Sequence, residues 1–395
     1  MYFQSIDDKE KCVGIYKDGA LYFDEIPPNL QRTWKYTPAL ATPEIEYGWI
    51  RCGGQSLSDV CPVELEGEWE RVHRKMRAFK KSFELAKIDF RQHCFFDLVP
   101  HDFLSEFLEI KNKVTEHVFE NFEVPPNYDH LNAVQKLLHQ IKYQTLHLNT
   151  DNCKKLFYNS ARRSTIKKLL SSPAWIDYNL FGTVTGRLAT NPNSFPILTM
   201  KKEIRQIVKP CNDWFLSLDY NGAEVRTFLA LGEHPQPQED IHAWNIINVF
   251  QKLAMEREEA KTVFFAWLYN PDSTIITTEH YNRKKVLDKY YDGDYINTVY
   301  DRHIKVDERK AFNYLIQSTT ADLVNERAVA LDKLLKDKKS FISHIVHDEI
   351  VIDLADEDRQ FIPQIKDTFS VNRLGTFLVN MKAGQNYYDL ETLSL

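Results

Sequence analysis

Two aspartates lie beside short, strongly apolar segments that could bring acidic groups into a folded interior. Asp219 ends the apolar run that begins at residue 214, and Asp348 lies between two β-rich segments, 341–346 and 349–354. A carboxylate buried at a strand end is unfavourable unless a cation neutralises it, and oxygen-ligated divalent metal ions are the usual partners. Together at the centre of one antiparallel sheet, these acids could hold two cations for an in-line displacement. Spacing alone leaves open the alternative that both acids simply cap turns.

Four residues between these acids recur at intervals of four: Arg257, Lys261, Phe265 and Tyr269. On a helix such positions drift only about 40° per step, so the two cations and the two rings share one face. That face suits a nucleoside triphosphate, with the cations on the phosphates and the rings against the sugar and base. The alternative is an ordinary amphipathic helix with aromatics in the core and cations outside.

The composition is that of a folded protein, with 43% hydrophobic and 13% aromatic residues. The net charge of -6 argues against a wholly basic nucleic-acid binder, so DNA binding would need local basic patches. Two such patches occur, at 71–81 and 154–168, although each could be a solvated helix face. No run of eighteen apolar residues and no secretory signal is found, which predicts a soluble, intracellular protein without membrane contact.

The six cysteines are widely scattered, with no C-x-x-C and no paired histidine spacing. This pattern favours neither a zinc knuckle nor a disulfide framework, and it predicts free thiols. They are Cys12, Cys52, Cys61, Cys94, Cys153 and Cys211.

The elements that must position the acids and the cationic face can be predicted from periodicity. A strand at 214–220, a turn and a helix at 223–231 would present Asp219, and a hairpin at 341–354 would present Asp348. The region 12–60 mixes short apolar runs with Pro and Gly. Residues 1–5 resemble the remnant of a cleavable tag and are left out of the fold prediction. Amphipathic helices are predicted around 66–88, 102–121 and 129–147.

Six segments, in order, resemble the motifs of the family-A (Pol I-like) DNA polymerases, of cellular or of phage or viral type. They cover about Phe181 to the C-terminus, and each retains its charged residue. The segments are Thr185-Gly-Arg-Leu188, Asp219-Tyr-Asn-Gly-Ala-Glu-Val-Arg226 (motif A), Asp240-Ile-His242, Arg257 to Tyr269 (motif B), Arg309 to Asp322, and Val346-His-Asp-Glu349 (motif C).

The resemblance implies an α+β right-hand fold with a helical thumb, a palm built on an antiparallel sheet, and reduced helical fingers. It also implies a DNA-directed DNA polymerase that extends a primer 5′→3′ from dNTPs on primer-template DNA, as a monomer. The predicted regions are 1–65 of uncertain role, 66–180 thumb, 181–231 and 301–395 palm, and 232–300 fingers.

The same resemblance assigns roles to single residues. Asp219, Asp348 and the carbonyl of Tyr220 would hold two Mg²⁺ ions, with Glu349 secondary. Nucleotide contacts would come from Glu224, His242, Arg257, Lys261, Phe265 and Tyr269. Lys261 would also act as general acid, and Glu224 would exclude a ribose 2′-hydroxyl unless it is merely a solvent-facing helix acid. Contacts to the duplex would come from Arg187, Arg309, Asn313, Gln317 and His347.

Some positions depart from the family pattern. Gly222 and Ala223 replace larger residues in motif A, and Asn270 stands where a Gly commonly follows the motif-B Tyr. Asn tolerates the left-handed conformation and Pro271 then stops the helix, so we expect this change to be harmless.

Three rival functions stay open at this point. A single-subunit RNA polymerase shares much of this palm, but Glu224 favours DNA synthesis. An inactive, polymerase-like DNA-binding protein would not need both acids and Lys261. A metal nuclease would not need the face formed by Arg257 to Tyr269. We also expect no 3′→5′ proofreading from this chain, because no Asp-x-Glu on an apolar strand precedes Phe181.

Overall fold

The structure is a computed structural model that describes residues 1–6, 13–40, 44–88, 90, 93–151, 153–251, 254–276 and 278–393. The chain forms two compact units, Met1–His139 and Gln140–Leu395. No helix in these described ranges is both long enough and apolar enough to span a membrane.

The first unit combines a small sheet with long helices. Its strands are β1 (Gln4–Ser5), β2 (Gly14–Lys17), β3 (Ala20–Phe23), β4 (Arg32–Thr33) and β5 (Glu46–Tyr47), where β1–β3 form an antiparallel sheet and β4 and β5 a parallel pair. Its helices are α1 (Gly48–Arg51), α2 (Val63–Leu85), α3 (His101–Asn121) and the start of α4 (Tyr128–Tyr143), with 3₁₀ turns at Pro38–Leu40 and Phe95–Asp97.

The helices of this unit begin where prolines and acidic first turns predict. α2 follows Pro62 and has Glu64 and Glu66 in its first turn, where carboxylates interact favourably with the helix dipole. Trp69, Val72 and Met76 form its buried stripe, with the spacing of one helical face. The predicted helices at 66–88, 102–121 and 129–147 are therefore present, displaced by a few residues at their ends.

The first five residues are part of the fold, so leaving them out of the fold prediction was wrong. Gln4 and Ser5 pair with Tyr16 and Ile15, and the Phe3 side chain is completely buried. The Gln4 amide also donates a hydrogen bond to Thr115 Oγ1 at 3.0 Å on α3. A short strand becomes stable here because neighbouring strands and a helix satisfy its backbone and cover its side chains.

The second unit contains the larger sheet. Its strands are β6 (His147–Leu148), β7 (Tyr178–Asn179), β8 (Ala189–Thr190), β9 (Val208–Lys209), β10 (Trp214–Tyr220), β11 (Tyr295–Asn297), β12 (His303–Lys305), β13 (Phe341–Val346), β14 (Glu349–Leu354), β15 (Val371–Asn372), β16 (Gly375–Thr376), β17 (Val379–Gly384) and β18 (Glu391–Thr392). Five of them form an antiparallel sheet in the order β13-β14-β10-β17-β18.

Helices pack around this sheet. They are α5 (Ser160–Leu170), α6 (Ala223–Leu231), α7 (Ile241–Asn245), α8 (Arg257–Tyr269), α9 (Arg283–Tyr290), α10 (Glu308–Leu335) and α11 (Ile362–Ser370), with a π-helical turn at Ile246–Phe250. Short 3₁₀ segments lie at Lys154–Tyr158, Ile197–Thr199, Lys202–Ile207, Glu279–Tyr281 and Asp356–Phe361. Buried side chains of α6, α8, α9 and α10 form one continuous hydrophobic cluster that fixes α8 beside α6.

The sheet brings both predicted acids to one end. β10 lies between β14 and β17, and Asp219 is opposite Glu349 on one side and Asn380 on the other. β13 and β14 form the predicted hairpin, whose two turn residues are His347 and Asp348. His347 adopts the left-handed conformation at φ 58°, which closes this two-residue turn.

The expectation of free thiols is only partly right. Cys52, Cys61, Cys153 and Cys211 are free, whereas Cys94 is disulfide-bonded. Spacing along the chain does not reveal such a bond, because two cysteines distant in sequence can meet in space. Cys12 lies outside the described residues.

Candidate active site

A cavity of about 510 Å³ in the second unit is lined by most of the residues that the motifs single out. Eleven of the predicted site residues line it: Arg187, Asp219, Tyr220, Glu224, His242, Arg257, Lys261, Phe265, Tyr269, His347 and Asp348. The lining also includes residues that the sequence analysis did not select, namely Asn221, Gly222, Ala223, Thr320, Ala321, Val324 and Asn380.

The acidic part of the cavity is formed by Asp219 on β10 and Asp348 in the β13–β14 turn. Burial, together with the charges of Asp348 and Glu349, raises the pKa of Asp219 to about 7. Glu349 is occupied elsewhere, because its carboxylate accepts hydrogen bonds from Ser217 Oγ at 2.6 Å and from Tyr387 Oη at 2.8 Å. Among the described residues, no cluster of three or more acidic, histidine or cysteine side chains has the arrangement of a metal site. The acidic centre is therefore the pair Asp219 and Asp348.

The four-residue repeat of α8 does present one face to the cavity. Arg257, Lys261, Phe265 and Tyr269 all line it, and the rings of Phe265 and Tyr269 stack with centroids 6.0 Å apart. The core is filled instead by the adjoining face of the helix: Ala260, Phe264, Trp267 and Leu268. The alternative, an ordinary amphipathic helix with aromatics in the core and cations outside, therefore does not describe the face that lines the cavity, where cations and rings lie together.

Glu224 on α6 is buried, with 8% of its surface exposed, so it is not a solvent-facing helix acid. Its carboxylate accepts hydrogen bonds from the Arg187 guanidinium and from the Tyr269 hydroxyl. Burial raises the pKa of Glu224, although the Tyr269 hydrogen bond and the Arg187 charge oppose that shift. Arg187 and Tyr269, from two distant segments of the chain, thus fix the Glu224 side chain at the cavity wall.

Asp240 organises the cationic side of the cavity, a role that the sequence did not reveal. It caps α7 by accepting from the backbone N–H groups of His242 and Ala243, both at 3.0 Å, and it forms an ion pair with Arg257 at 2.8 Å. The Asn221 amide also donates to it at 2.7 Å. Although burial raises the pKa of Asp240, these hydrogen bonds hold it well below its usual range.

His242 is neutral at physiological pH. Burial is the main reason that its pKa is lowered to about 4; the charges of Arg257 and Lys261 lower it further, against the opposing charge of Asp240. Its Nδ1 atom is buried without a hydrogen-bond partner among the described residues. A neutral imidazole can donate one hydrogen bond to an anionic ligand.

Gly222 explains one departure from the motif-A pattern. It has φ +69°, and an added Cβ would lie 2.5 Å from Ile241 Cγ2. Both the left-handed backbone and the contact with α7 therefore require glycine at the start of α6.

Comparisons with known proteins show which sequences and structures this chain resembles. No family model matches the chain. The DNA polymerase I of Synechocystis sp. is 24% identical over 283 residues, 54% of this chain and 29% of that protein, and that of Bacillus caldotenax is 24% identical over 270 residues, 54% and 31%. The structure of the polymerase domain of Pol1 from M. smegmatis, in complex with a DNA primer-template and dNTP, matches with a TM-score of 0.67 at 12% identity, over 98% of this chain and 95% of that one.

The chain is therefore similar to DNA polymerase I in sequence over about half of its length, and to a Pol1 polymerase domain in fold. The predicted right-hand fold is confirmed by the structural match, which extends over nearly the whole chain. The chain itself spans less than a third of the length of the curated relatives that it matches.

Three of the residues predicted to contact the duplex do not line the cavity. They are Arg309, Asn313 and Gln317, which follow one another at intervals of four along α10. Arg309 forms an ion pair with Asp272 at 2.8 Å, and both side chains are largely exposed. The Asn313 amide donates to the Tyr269 carbonyl at 3.3 Å, and Gln317 is half-buried. Their assignment to DNA, like the predicted thumb, palm and fingers boundaries, remains a prediction.

Asn270 does not use the left-handed conformation that asparagine tolerates, and the helix ends before Pro271 as expected. Its φ is -102° and its ψ is 105°, which is extended backbone. The reason is Pro271, since the proline ring restricts the preceding residue to extended conformations. The helix therefore ends at Tyr269 because of the proline.

Proposed function

We propose that this chain is a DNA-directed DNA polymerase that extends a primer 5′→3′ on a template strand with dNTPs as substrates. The supporting observation is that one cavity contains a partly buried acid pair and a helix face with two cations and two rings. This combination suits nucleotidyl transfer, in which catalysis consists mainly of positioning and charge stabilisation.

The acid pair fits divalent metal ions. Burial first, and then the charge of Asp348, raise the pKa of Asp219, so a cation between the two carboxylates would be stabilising. Asp219, Asp348 and the Tyr220 carbonyl would hold two Mg²⁺ ions, since hard cations prefer carboxylate and carbonyl oxygens. Such ions activate a hydroxyl nucleophile and stabilise charge on a leaving pyrophosphate.

The α8 face would bind the incoming nucleotide. Arg257, held by Asp240, and Lys261 would neutralise the triphosphate, and neutral His242 would donate a hydrogen bond to it. Lys261 can also give a proton to the departing pyrophosphate, which makes it the general acid of this proposal. Phe265 and Tyr269 would pack against the sugar and the base.

Glu224 would select deoxyribonucleotides. Because Arg187 and Tyr269 fix its carboxylate, a 2′-hydroxyl beside it would meet a side chain that cannot move away easily. This arrangement favours DNA synthesis over the alternative of a single-subunit RNA polymerase. Contacts from Arg187, Arg309, Asn313, Gln317 and His347 would hold the primer-template through its backbone and minor groove, where readout depends little on sequence.

Primer extension tests the proposal. The chain is incubated with Mg²⁺, a labelled primer on a longer template, and either dNTPs or NTPs. Extension with dNTPs and much weaker extension with NTPs is expected. No extension with either substrate would favour an inactive DNA-binding protein, and preferential use of NTPs would favour the RNA polymerase. We further propose that the enzyme acts as an intracellular monomer, which sedimentation and cell fractionation can test.

A further inference from the structure

The first unit contains its own cavity, of about 670 Å³, between α2, α3 and the segments that follow β1, β4 and α1. Its volume lies within the range of small-molecule sites. On α2 the lining residues include Trp69, His73, Met76 and Lys80, and on α3 they include Leu104, Phe107, Leu108 and Lys111. Each set has the spacing of one helix face, so this inner surface of the helix pair contains lysines among its apolar residues.

The lining is strongly cationic. Lys35, Arg77, Lys80 and Lys111 contribute positive charge, and Glu84 is the one acid among the lining residues of the described chain. Among the described residues, no carboxylate forms an ion pair with the partly buried Lys111 ammonium. Burial, and then the charges of Lys80 and Lys35, lower the pKa of Lys111 to about 7. An anion that binds beside the Lys111 ammonium would compensate for the burial of this charge.

Two further features indicate a ligand with both polar and planar parts. Thr37 lines the cavity and is 4% exposed, and its hydroxyl has no hydrogen-bond partner among the described residues. The rings of Trp34, Tyr36, Phe95 and Phe107 also line it, from three different segments of the unit. Aromatic side chains offer stacking surfaces to flat rings, and clustered cations favour phosphate over a singly charged carboxylate.

We propose that this cavity binds a nucleotide, with its phosphate near Lys111, Lys80 and Lys35 and its base against the aromatic wall. The nucleotide is either a free mononucleotide or an unpaired residue of a single strand. This site is separate from the cavity of the proposed polymerase function and does not depend on that function.

Calorimetric titration of the full chain with AMP in EDTA tests the site. The Lys261→Met chain is used as background, so that binding to the polymerase cavity is weakened. Lys111→Met in that background is expected to reduce AMP affinity at least ten-fold, because it removes the charge and keeps the apolar stem. Lys113→Met is the matched control: Lys113 lies on the same helix, forms an exposed ion pair with Glu109 and does not line the cavity, so affinity should stay within two-fold.

Three further titrants complete the test. Inorganic phosphate and adenosine should each bind at least ten-fold more weakly than AMP. The affinity for a 5′-phosphorylated tetranucleotide is compared with that for AMP: tighter binding of the tetranucleotide would identify a single strand as the preferred ligand, and weaker binding a free mononucleotide. Equal affinities for phosphate and AMP, no binding of AMP up to millimolar concentration, or equal losses in Lys111→Met and Lys113→Met would overturn the proposal. The melting temperature of Lys111→Met should be no lower than that of the parent chain, so that a loss of affinity cannot come from unfolding. Lys80→Met, a substitution on α2, should likewise reduce AMP affinity. Primer extension by the unmodified chain is measured separately and tests only the proposed polymerase function.

Discussion

Single residues decide what the cavity of the second unit can do, and the acid pair is the first of them. Asp219→Asn or Asp348→Asn should reduce nucleotide incorporation at least 100-fold, because each carboxylate supplies charge for the metal ions. Affinity for primer-template DNA should stay within about two-fold, since neither acid is needed to grip phosphates. Single-turnover extension and fluorescence anisotropy measure the two quantities.

The control for the acid pair is Asp367→Asn, which changes an exposed acid on α11 and should behave like the unmodified chain. Retention of a tenth of the turnover by either active-site variant would contradict the assignment.

Glu224 allows a second residue-scale prediction. Glu224→Ala should admit ribonucleotides, raising NTP relative to dNTP incorporation by at least ten-fold, because it deletes the side chain that would clash with a 2′-hydroxyl. Glu224→Gln keeps the size but not the charge, and it should keep most of the discrimination. Competition between dNTP and NTP in primer extension gives the ratio. If the alanine variant discriminates as before, Glu224 is not the gate.

At the scale of residues, the sequence was sufficient to predict the site features that depend on a pattern within one segment. Asp219, Asp348 and the α8 face follow from strand ends and from a period of four, both of which are visible in a single segment. The role of Asp240 could not be predicted in the same way, because it depends on contacts with Asn221 and Arg257, which are distant in the sequence. The partners of Glu349 were hidden for the same reason.

At the scale of elements, the junction of β10 with α6 depends on Gly222. Gly222→Ala should lower the free energy of unfolding by about 1–3 kcal/mol and impair extension, because the positive φ and the 2.5 Å approach to Ile241 both disfavour a Cβ. Gly67→Ala provides the opposite control. That residue lies within α2 with nothing near its added Cβ, so alanine should stabilise the chain by up to about 1 kcal/mol. Urea unfolding measures both, and a stabilising effect at Gly222 would contradict the strain argument.

The strand β13 should make stability depend on acid pH through His344. This side chain is fully buried beside Phe215 and Tyr387, and burial, assisted by the Arg205 charge, lowers its pKa to about 3. The folded pKa is below the unfolded value of about 6.5, so the unfolded chain binds the proton more readily and stability falls as pH decreases below 6.5. Between pH 7 and pH 5 this group should account for a loss of about 2 kcal/mol.

The measurement for His344 compares unfolding free energies of the unmodified chain and of His344→Gln at the two pH values. Glutamine does not titrate, so the variant should lose about 2 kcal/mol less over the same interval. Parallel losses in both proteins would show that His344 does not contribute to the acid sensitivity.

Elements were easier to predict than their boundaries or their neighbours. The helices of the first unit, the 214–220 strand and the 341–354 hairpin all have strong local periodicity or turn chemistry, and all are present. The ends differed by a few residues, as at the start of α2, which Pro62 decides. The strand at Gln4–Ser5 was missed because two residues have no periodicity, and only long-range pairing stabilises it.

At the scale of the whole molecule, the motifs between 181 and the C-terminus were enough to predict the right-hand fold. The first unit was poorly predicted, since residues 12–60 lack periodicity and their sheet is formed by short strands. Its cationic cavity could not be foreseen either. The basic run at 71–81 looked like a solvated helix face, yet Lys80 lines the cavity together with Lys111, which is thirty-one positions further along the chain.

The last prediction belongs to the whole chain: it should show no 3′→5′ proofreading activity. An exonuclease site of the family-A kind would need its own acidic metal cluster, opened by an Asp-x-Glu on a buried strand. In the first unit the strands β1 to β5 contain one acid, Glu46, and its carboxylate forms an ion pair with Arg32 at 2.9 Å. Among the described residues of the long helices α2 and α3, Glu84 is the one acid that lines the cavity of this unit, and others form surface ion pairs, such as Arg71 with Glu106.

A 3′-mismatched, labelled primer incubated with the protein and Mg²⁺ but without dNTPs measures this activity. The primer should keep its length over a time in which the same preparation, given dNTPs, extends a matched primer to completion. Asp219→Asn serves as the control for any shortening by reversal of the polymerase reaction, because that reversal uses the same acid pair. Shortening that persists in Asp219→Asn and disappears on mutation of an acid before residue 170 would reveal a nuclease site in the first part of the chain. The proposed polymerase would then join two metal sites in one chain, and its fidelity would depend on both.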